Sequence, residues 1–361
     1  MRTTLFDFQQ LIEMLYQKTP CVLATVIQTQ GSTPQKAGSS ALIGDGQLLA
    51  GTVGGGIAEL KVIQRAQVLL QSKKSELFSF NLGGDLSKGS DAICGGSMTI
   101  LLDALPESHL TVFNQIKSSS QHRNKGVLVT MVDQSASENI TINRHWVTDT
   151  GQKHLPDHSS KEIELLVDQM LINKHKDACH LIPEKGIENP ANRFTFVESV
   201  IPKPSLVIAG AGHIGQALAQ LGKFMGFEVT LWDDRPEYAF QAKIPIADLA
   251  LSGTVDSALG KMDIQHYTYL VIVTHGHKSD SEVLKRFIAS DAAYVGMIGS
   301  RAKVSQMKAS FIENGWATPR QWDRVFTPIG LDIGAQSVEE IALSIAAQLV
   351  KVRNQNNKNG E

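Results

Sequence analysis

The stretch SLVIAGAGHIGQALAQLGKFMGFEVTLWDDRP, residues 205–236, decides the fold. A short apolar run leads into Gly210, Gly212 and Gly215, spaced G-x-G-x-x-G, and a segment of helical periodicity follows. After a buried strand and before a helix, this spacing permits a tight turn and lets phosphate approach the free N–H groups of the helix N-terminus. Asp233 ends the next apolar run about 20 residues further on, where a carboxylate can accept both ribose hydroxyls. His213, inside the loop, either reaches a ligand phosphate or faces solvent. The alternative reading has the glycines serving helix–strand packing alone, with Asp233 and Asp234 as solvated turn residues.

Working outward, strand-like and helix-like segments continue to alternate through EVTLWDD, YLVIVTH, EVLKRFIA and YVGMIG to a helix from Val338. Such alternation predicts a Rossmann-like, doubly wound parallel sheet over residues 201–361, with ligands at the carboxyl ends of its strands. At those ends, THGHKSD offers His275, His277 and Asp280 as a proton relay, as a sparse metal set, or as turn and capping residues. GMIGSRAK brings Arg301 and Lys303, which either pair with phosphate or are solvated charge. In TPIGLDIGAQSVEE, Ser337 and Glu340 have capping-box spacing, while Pro328, Gly330 and Gly334 make a loop that walls a pocket or merely connects.

The first domain, residues 1–200, reads as mixed α/β. CVLATVIQTQ is strand-like, a hairpin is expected at Gly44-Asp45-Gly46, and IAELKVIQRAQVLLQ has helical spacing. SMTILLDAL and VLVTMVD are further apolar runs. Between about residues 134 and 200 the pattern weakens into a connecting segment whose one helical stretch is IELLVDQML.

Three loops of this domain carry chemistry. QGSTPQKAG supplies Ser32 and Lys36, suited to a phosphorylated ligand or to a plain turn set by Pro34. GTVGGGIAE places Gly54, Gly55 and Gly56 before a helix, with Glu59 in its first turn as ligand contact or dipole partner; the triplet is equally a flexible turn. Cys94, followed by Gly95 and Gly96, is an approachable thiol that can ligate a soft metal or accept sulfur, or else an inert core residue like Cys21.

With 34 basic against 36 acidic residues, the balance gives no footprint for nucleic acid. Three widely spaced cysteines fit a reducing, cytoplasmic setting better than a disulfide framework. MRTTLFDFQQ lacks an apolar signal core and no uncharged apolar run has membrane-spanning length, so neither secretion nor membrane insertion is expected.

Taken together, GSTPQKAG, GTVGGGIAE, ICGG, AGAGHIG, THGHKSDSEVL, VGMIGSRAKV and TPIGLDIGA resemble the XdhC/CoxI family of accessory proteins for molybdenum hydroxylases such as xanthine dehydrogenase. The resemblance runs in order from about residue 20 to 350, and PIGLDIGA, which contains Asp332, is its most specific part. It implies a chaperone without turnover, with molybdenum cofactor as cargo, Cys94 near the metal, and NAD(P) or another nucleotide at the glycine loop. The implied partners are an apo molybdenum hydroxylase, a cysteine desulfurase and a second copy in a homodimer. Two departures stand out: Gln35 where relatives commonly carry arginine, and Ile57 where histidine or cysteine is common, which argues against metal contact from the glycine-triplet loop. An NAD(P)-dependent oxidoreductase and a non-catalytic nucleotide sensor are the alternatives.

Overall fold

The computed structural model describes residues 6, 8–82, 95–134, 140–149, 155–156, 159–172, 179–184, 193–241, 247–260 and 262–358. The chain divides into two compact units, Met1–Pro202 and Lys203–Glu361.

The first unit begins with α1 (Phe8–Tyr16), β1 (Val22–Gln30) and the hairpin of β2 (Ser40–Gly44) and β3 (Gln47–Gly51). Asp45 and Gly46 both take positive φ, 48° and 71°, which lets the two-residue turn follow the twist of its strands. Next come α2 (Gly56–Ser72), β4 (Glu76–Asn81), β5 (Ser97–Asp103), α3 (Leu110–Gln121) and β6 (Gly126–Asp133). The unit closes with β7 (Thr141–Thr148), α4 (Lys161–Ile172), β8 (Cys179–Pro183) and β9 (Arg193–Val200).

These strands make two antiparallel sheets, ordered β3-β2-β1-β5-β4 and β7-β6-β9-β8. The weakly patterned stretch after residue 134 therefore supplies three of the four strands of the second sheet. β9 hides there because polar Thr195, Glu198 and Ser199 are buried along with its apolar residues, so its sequence reads neither as a continuous apolar run nor as sustained alternation.

Alternation assigns the two faces of the first sheet. Val22, Ala24, Val26, Ile100 and Leu102 pack beneath Ala58, Val62, Ala66 and Leu69 of α2. On the opposite face, Ile27 and Leu101 meet Val132, Phe194 and Phe196 of the second sheet, while Leu23 and Leu42 meet α1 and α3. The far face of the second sheet is covered by Ile163, Val167 and Met170 of α4. The layers thus run helix, sheet, sheet, helix.

One ion pair is sealed within this stack. Arg144 of β7 meets the Asp103 carboxylate, with side chains 3% and 2% exposed. Asp103 also accepts from the Leu105 amide at 3.0 Å and from Ser75 Oγ at 3.3 Å. His109 lies nearby; burial first and the Arg144 charge second push it down to about 4.

The second unit contains β10 (Ser205–Ala209), α5 (His213–Phe224), β11 (Glu228–Asp233), α6 (Pro236–Gln241), β12 (Leu249–Ser252), β13 (Thr268–Ile272) and α7 (His277–Phe287). It continues with β14 (Tyr294–Met297), α8 (Arg301–Glu313), α9 (Pro319–Trp322), β15 (Val325–Phe326) and α10 (Val338–Lys358). All six strands are parallel in the order β12-β11-β10-β13-β14-β15, the doubly wound arrangement expected from the sequence. Leu206 and Ile208 point toward α5 and α10, whereas Val207 and Ala209 point toward α7 and α8. The Ser337–Glu340 capping box forms as its spacing predicts, with the Glu340 amide 3.2 Å from Ser337 Oγ and the Ser337 amide 2.9 Å from Glu340 Oε2.

Two outcomes follow for the first unit. Arg144→Leu leaves Asp103 buried without its cation and is expected to destabilise this unit by about 3 kcal/mol, read as lost hydrogen-exchange protection in β1, β5 and β6. Because His109 binds its proton less readily when folded, its contribution is fully present above about pH 6.5 and declines toward pH 4. In urea titrations, His109→Gln should flatten the fall in stability across that window.

Candidate functional site

In the second unit, the candidate residues gather where the parallel strands end. A Cβ on Gly210 would lie 2.3 Å from the Val273 carbonyl oxygen, and one on Gly215 would lie 1.8 Å from the Gly210 oxygen. These two positions therefore draw the glycine loop against β13 and against α5. Gly212 differs: a Cβ there would meet nothing within 4 Å, and as N-cap of α5 it has no side chain to occupy the helix's first amides. His213 follows it, exposed, on the first turn.

Asp233 does not present a carboxylate to a ribose. Its side chain is 2% exposed. Oδ2 accepts from the Ala211 amide at 2.8 Å and from Arg235 Nη2 at 3.1 Å, while Oδ1 accepts from Arg235 Nε at 2.9 Å and from the Arg235 amide at 3.1 Å. Burial alone would raise this acid, but Arg235 and the two amides outweigh it and hold the carboxylate below its ordinary range. Arg235 in turn lies over the Tyr238 ring, 3.7 Å from its centroid.

The expected grouping of His275, His277 and Asp280 is not assembled. Asp280 is fully buried, accepting from Thr274 Oγ1 at 2.6 Å, the Thr274 amide at 3.1 Å and Lys303 Nζ at 2.7 Å. A buried carboxylate needs such compensation, and here it fastens the loop after β13 to the first turn of α8. Lys303 is thereby committed to Asp280 rather than offered to phosphate. His277 is exposed at the start of α7. His275 instead approaches Asp234, with Nδ1 3.6 Å from Oδ1. Among the described residues, Asp233, Asp234 and His275 form the group whose ligand atoms lie within 4.8 Å of one another. The Arg235 guanidinium already fills the Asp233 side of that group, which is poor chemistry for a cation site.

Arg301 stands exposed at the start of α8, behind the Ser300 cap. The PIGLDIG loop is docked beside β14, where the Ile329 amide donates to the Met297 carbonyl at 3.2 Å. Gln348 of α10 grips it in both directions, accepting from the Gly330 amide at 2.9 Å and donating to the Gly330 carbonyl at 3.1 Å. Asp332 is left exposed at its crest.

In the first unit, three motif loops converge at one end of the first sheet. A Cβ on Gly96 would strike the Ser32 carbonyl oxygen at 2.4 Å, and one on Gly54 would strike Pro34 Cγ at 2.6 Å. Close backbone approach thus holds residues 31–36, 52–56 and 95–96 together. Glu59 is the clasp of the glycine triplet, since Thr52 Oγ1 donates to it at 2.8 Å and accepts from the Gly54 amide at 3.1 Å. A Cβ at Gly55, Gly56 or Gly95 would meet nothing within 4 Å, so these positions line open space beside the N-terminus of α2. Ser32, Lys36 and Ile57 are exposed around it. Cys94 lies outside the described residues. Cys21 is inert core, its thiol pushed up to about 12 chiefly by burial.

Arg235, Tyr238 and Thr274 were not singled out from the sequence, although the DDRP tail of the opening stretch contains the signal for the first. A cation two residues beyond a strand-ending carboxylate is positioned to bond back to it.

Residues 206–349 match the XdhC Rossmann domain, and residues 14–81 match the XdhC and CoxI family. A probable xanthine dehydrogenase subunit of Bacillus subtilis is 25% identical over 351 residues, covering 96% of this chain and 98% of that protein. An uncharacterized protein of Escherichia coli, YqeB, is 23% identical over the same share of this chain, which spans 46% of its length. A crystal structure described as a xanthine dehydrogenase from Bacillus halodurans superposes with a TM-score of 0.76 at 25% identity, covering 97% of this chain and 96% of that one. With matched segments in both compact units and relatives aligned over nearly its whole length, the chain belongs to the XdhC and CoxI family.

Proposed function

We propose that this protein is an accessory factor of a xanthine dehydrogenase-type molybdenum hydroxylase, with molybdenum cofactor as its cargo. It holds the cofactor, supports sulfuration by a cysteine desulfurase and passes the cofactor to the apoenzyme. The observation that carries the reading is the convergence of the three motif loops in the first unit of an XdhC-family chain. The donors there suit the cargo's phosphate and pterin. Open glycine backbone at Gly55, Gly56 and Gly95 permits close approach, α2 supplies free amides, and Ser32 and Lys36 add a hydroxyl and a cation. Cys94, next to Gly95 in sequence, is assigned to the metal, because a thiolate is a soft donor.

The glycine loop of the second unit takes a nucleotide phosphate, either of a regulatory nucleotide or of the cofactor itself. Hydride transfer is the weaker reading, since the Asp280 carboxylate at the end of β13 is already committed to Lys303 and Thr274. A homodimer in the cytoplasm completes the proposal.

The test is anaerobic mixing with released molybdenum cofactor, followed by gel filtration read for molybdenum and for oxidised-pterin fluorescence. Near-stoichiometric co-elution is expected, and failure to co-elute contradicts the reading. Cys94→Ala should fold normally yet retain molybdenum about tenfold less well or worse. Gly54→Ala, which drives a methyl group into Pro34, should disrupt the convergence and lower cofactor retention while leaving nucleotide binding by the second unit intact.

A further inference from the structure

The two carboxylates at the end of β11 are both engaged. Asp233 accepts four hydrogen bonds, from two backbone amides and two guanidinium nitrogens. An ionised carboxylate has about four lone-pair sites, so none remains for a ribose diol. Asp234 accepts from Ser279 Oγ at 3.2 Å, and its Oδ1 lies 3.6 Å from His275 Nδ1 and 4.0 Å from Arg235 Nε. β10 lies between β11 and β13 in the sheet, so the bond from Asp234 to Ser279 of α7 spans the strand from which the glycine loop departs.

Asp234 keeps acceptor sites beyond its Ser279 bond, whereas Arg235 is the cation of that strand end and keeps donors to spare. Nε and one Nη2 hydrogen are committed to Asp233, which leaves three of five N–H donors. The side chain keeps 31% exposure while the fork and the Tyr238 ring hold its plane. A guanidinium fixed in this way reads a phosphate oxygen pair, with little rotamer entropy left to lose.

From these contacts we infer that the glycine loop discriminates for a dinucleotide carrying a phosphomonoester on its adenosine ribose, and that Arg235 is the specificity-determining residue. This rests on the reading that the loop takes a nucleotide phosphate. The Arg235–Asp233 fork performs two tasks at once: it removes the carboxylate that would select a free ribose diol and presents a cation in its place.

Calorimetric titration of the full chain with NADP+ and with NAD+, at about 0.15 M salt to screen long-range attraction, tests the inference. NADP+ should bind about tenfold tighter or better. Arg235→Ala should abolish that preference and raise NAD+ affinity, because it frees Asp233 for the ribose hydroxyls; a purely structural role would not invert selectivity. Should Arg235→Ala fail to fold, Tyr238→Leu leaves the Asp233 fork in place and should still narrow the preference. Equal affinities, an NAD+ preference, or an NADP+ preference unchanged in these variants would overturn the inference while leaving a nucleotide site standing. Binding of neither dinucleotide would overturn the inference and the nucleotide reading of this loop together, leaving the cofactor-retention assay on the first unit as a separate matter.

Discussion

The Asp233 carboxylate joins the end of β11 to the glycine loop, and the second unit's candidate site takes its shape from that bond. A carboxylate removed from water is costly unless nearly every lone pair finds a donor. Asp233 meets this demand with the Ala211 amide, the Arg235 amide and the Arg235 guanidinium fork. The loop is consequently ordered by protein groups alone, and Gly212 is left as the open position where a phosphate can approach backbone. The same economy recurs at Asp280, whose burial fixes the loop after β13 through Thr274 and Lys303. Acids that look reactive in the sequence act here as internal fasteners.

The two units bring their loops together by different routes. Parallel strands all end on one side of their sheet, so the loops after β10, β11, β13 and β14 share a crest as a matter of topology. In the antiparallel sheet of the first unit, successive strands reverse, and convergence requires that the exits of β1 and β3 and the entry to β5 lie at the same end. Steric contact then holds them, with Gly96 against the Ser32 carbonyl and Gly54 against Pro34. Neither position tolerates a side chain, which gives the glycines of these motifs a packing reason as well as a binding one.

The sealed pair of Arg144 and Asp103 has a related part in the first unit. It connects β7 of the second sheet to β5 of the first, across an interface in which Ile27, Leu101, Val132 and Phe196 are joined by the buried polar side chains of Thr25, Thr130 and Glu198. Apolar contacts alone tolerate sliding, whereas a buried ion pair among such polar groups favours one register. His109 nearby stays neutral well below the ordinary histidine range, through burial first and the Arg144 charge second.

The sequence by itself determined the parallel sheet, because G-x-G-x-x-G between an apolar run and a helical pattern is a local signal whose parts lie within one βαβ unit. It also determined the Gly44-Asp45-Gly46 hairpin and the Ser337–Glu340 cap, which depend only on neighbours along the chain. Tertiary structure decided the rest. β9 breaks its alternation after Phe196, since sheet and helix layers bury polar Glu198 and Ser199 together with its apolar residues. The roles of Asp233, Asp280 and Lys303 were settled by which partners folding brought within bonding distance, and periodicity contains no such information. A carboxylate written in a sequence is a ligand or a fastener according to what else needs its lone pairs, and only the assembled fold fixes that competition.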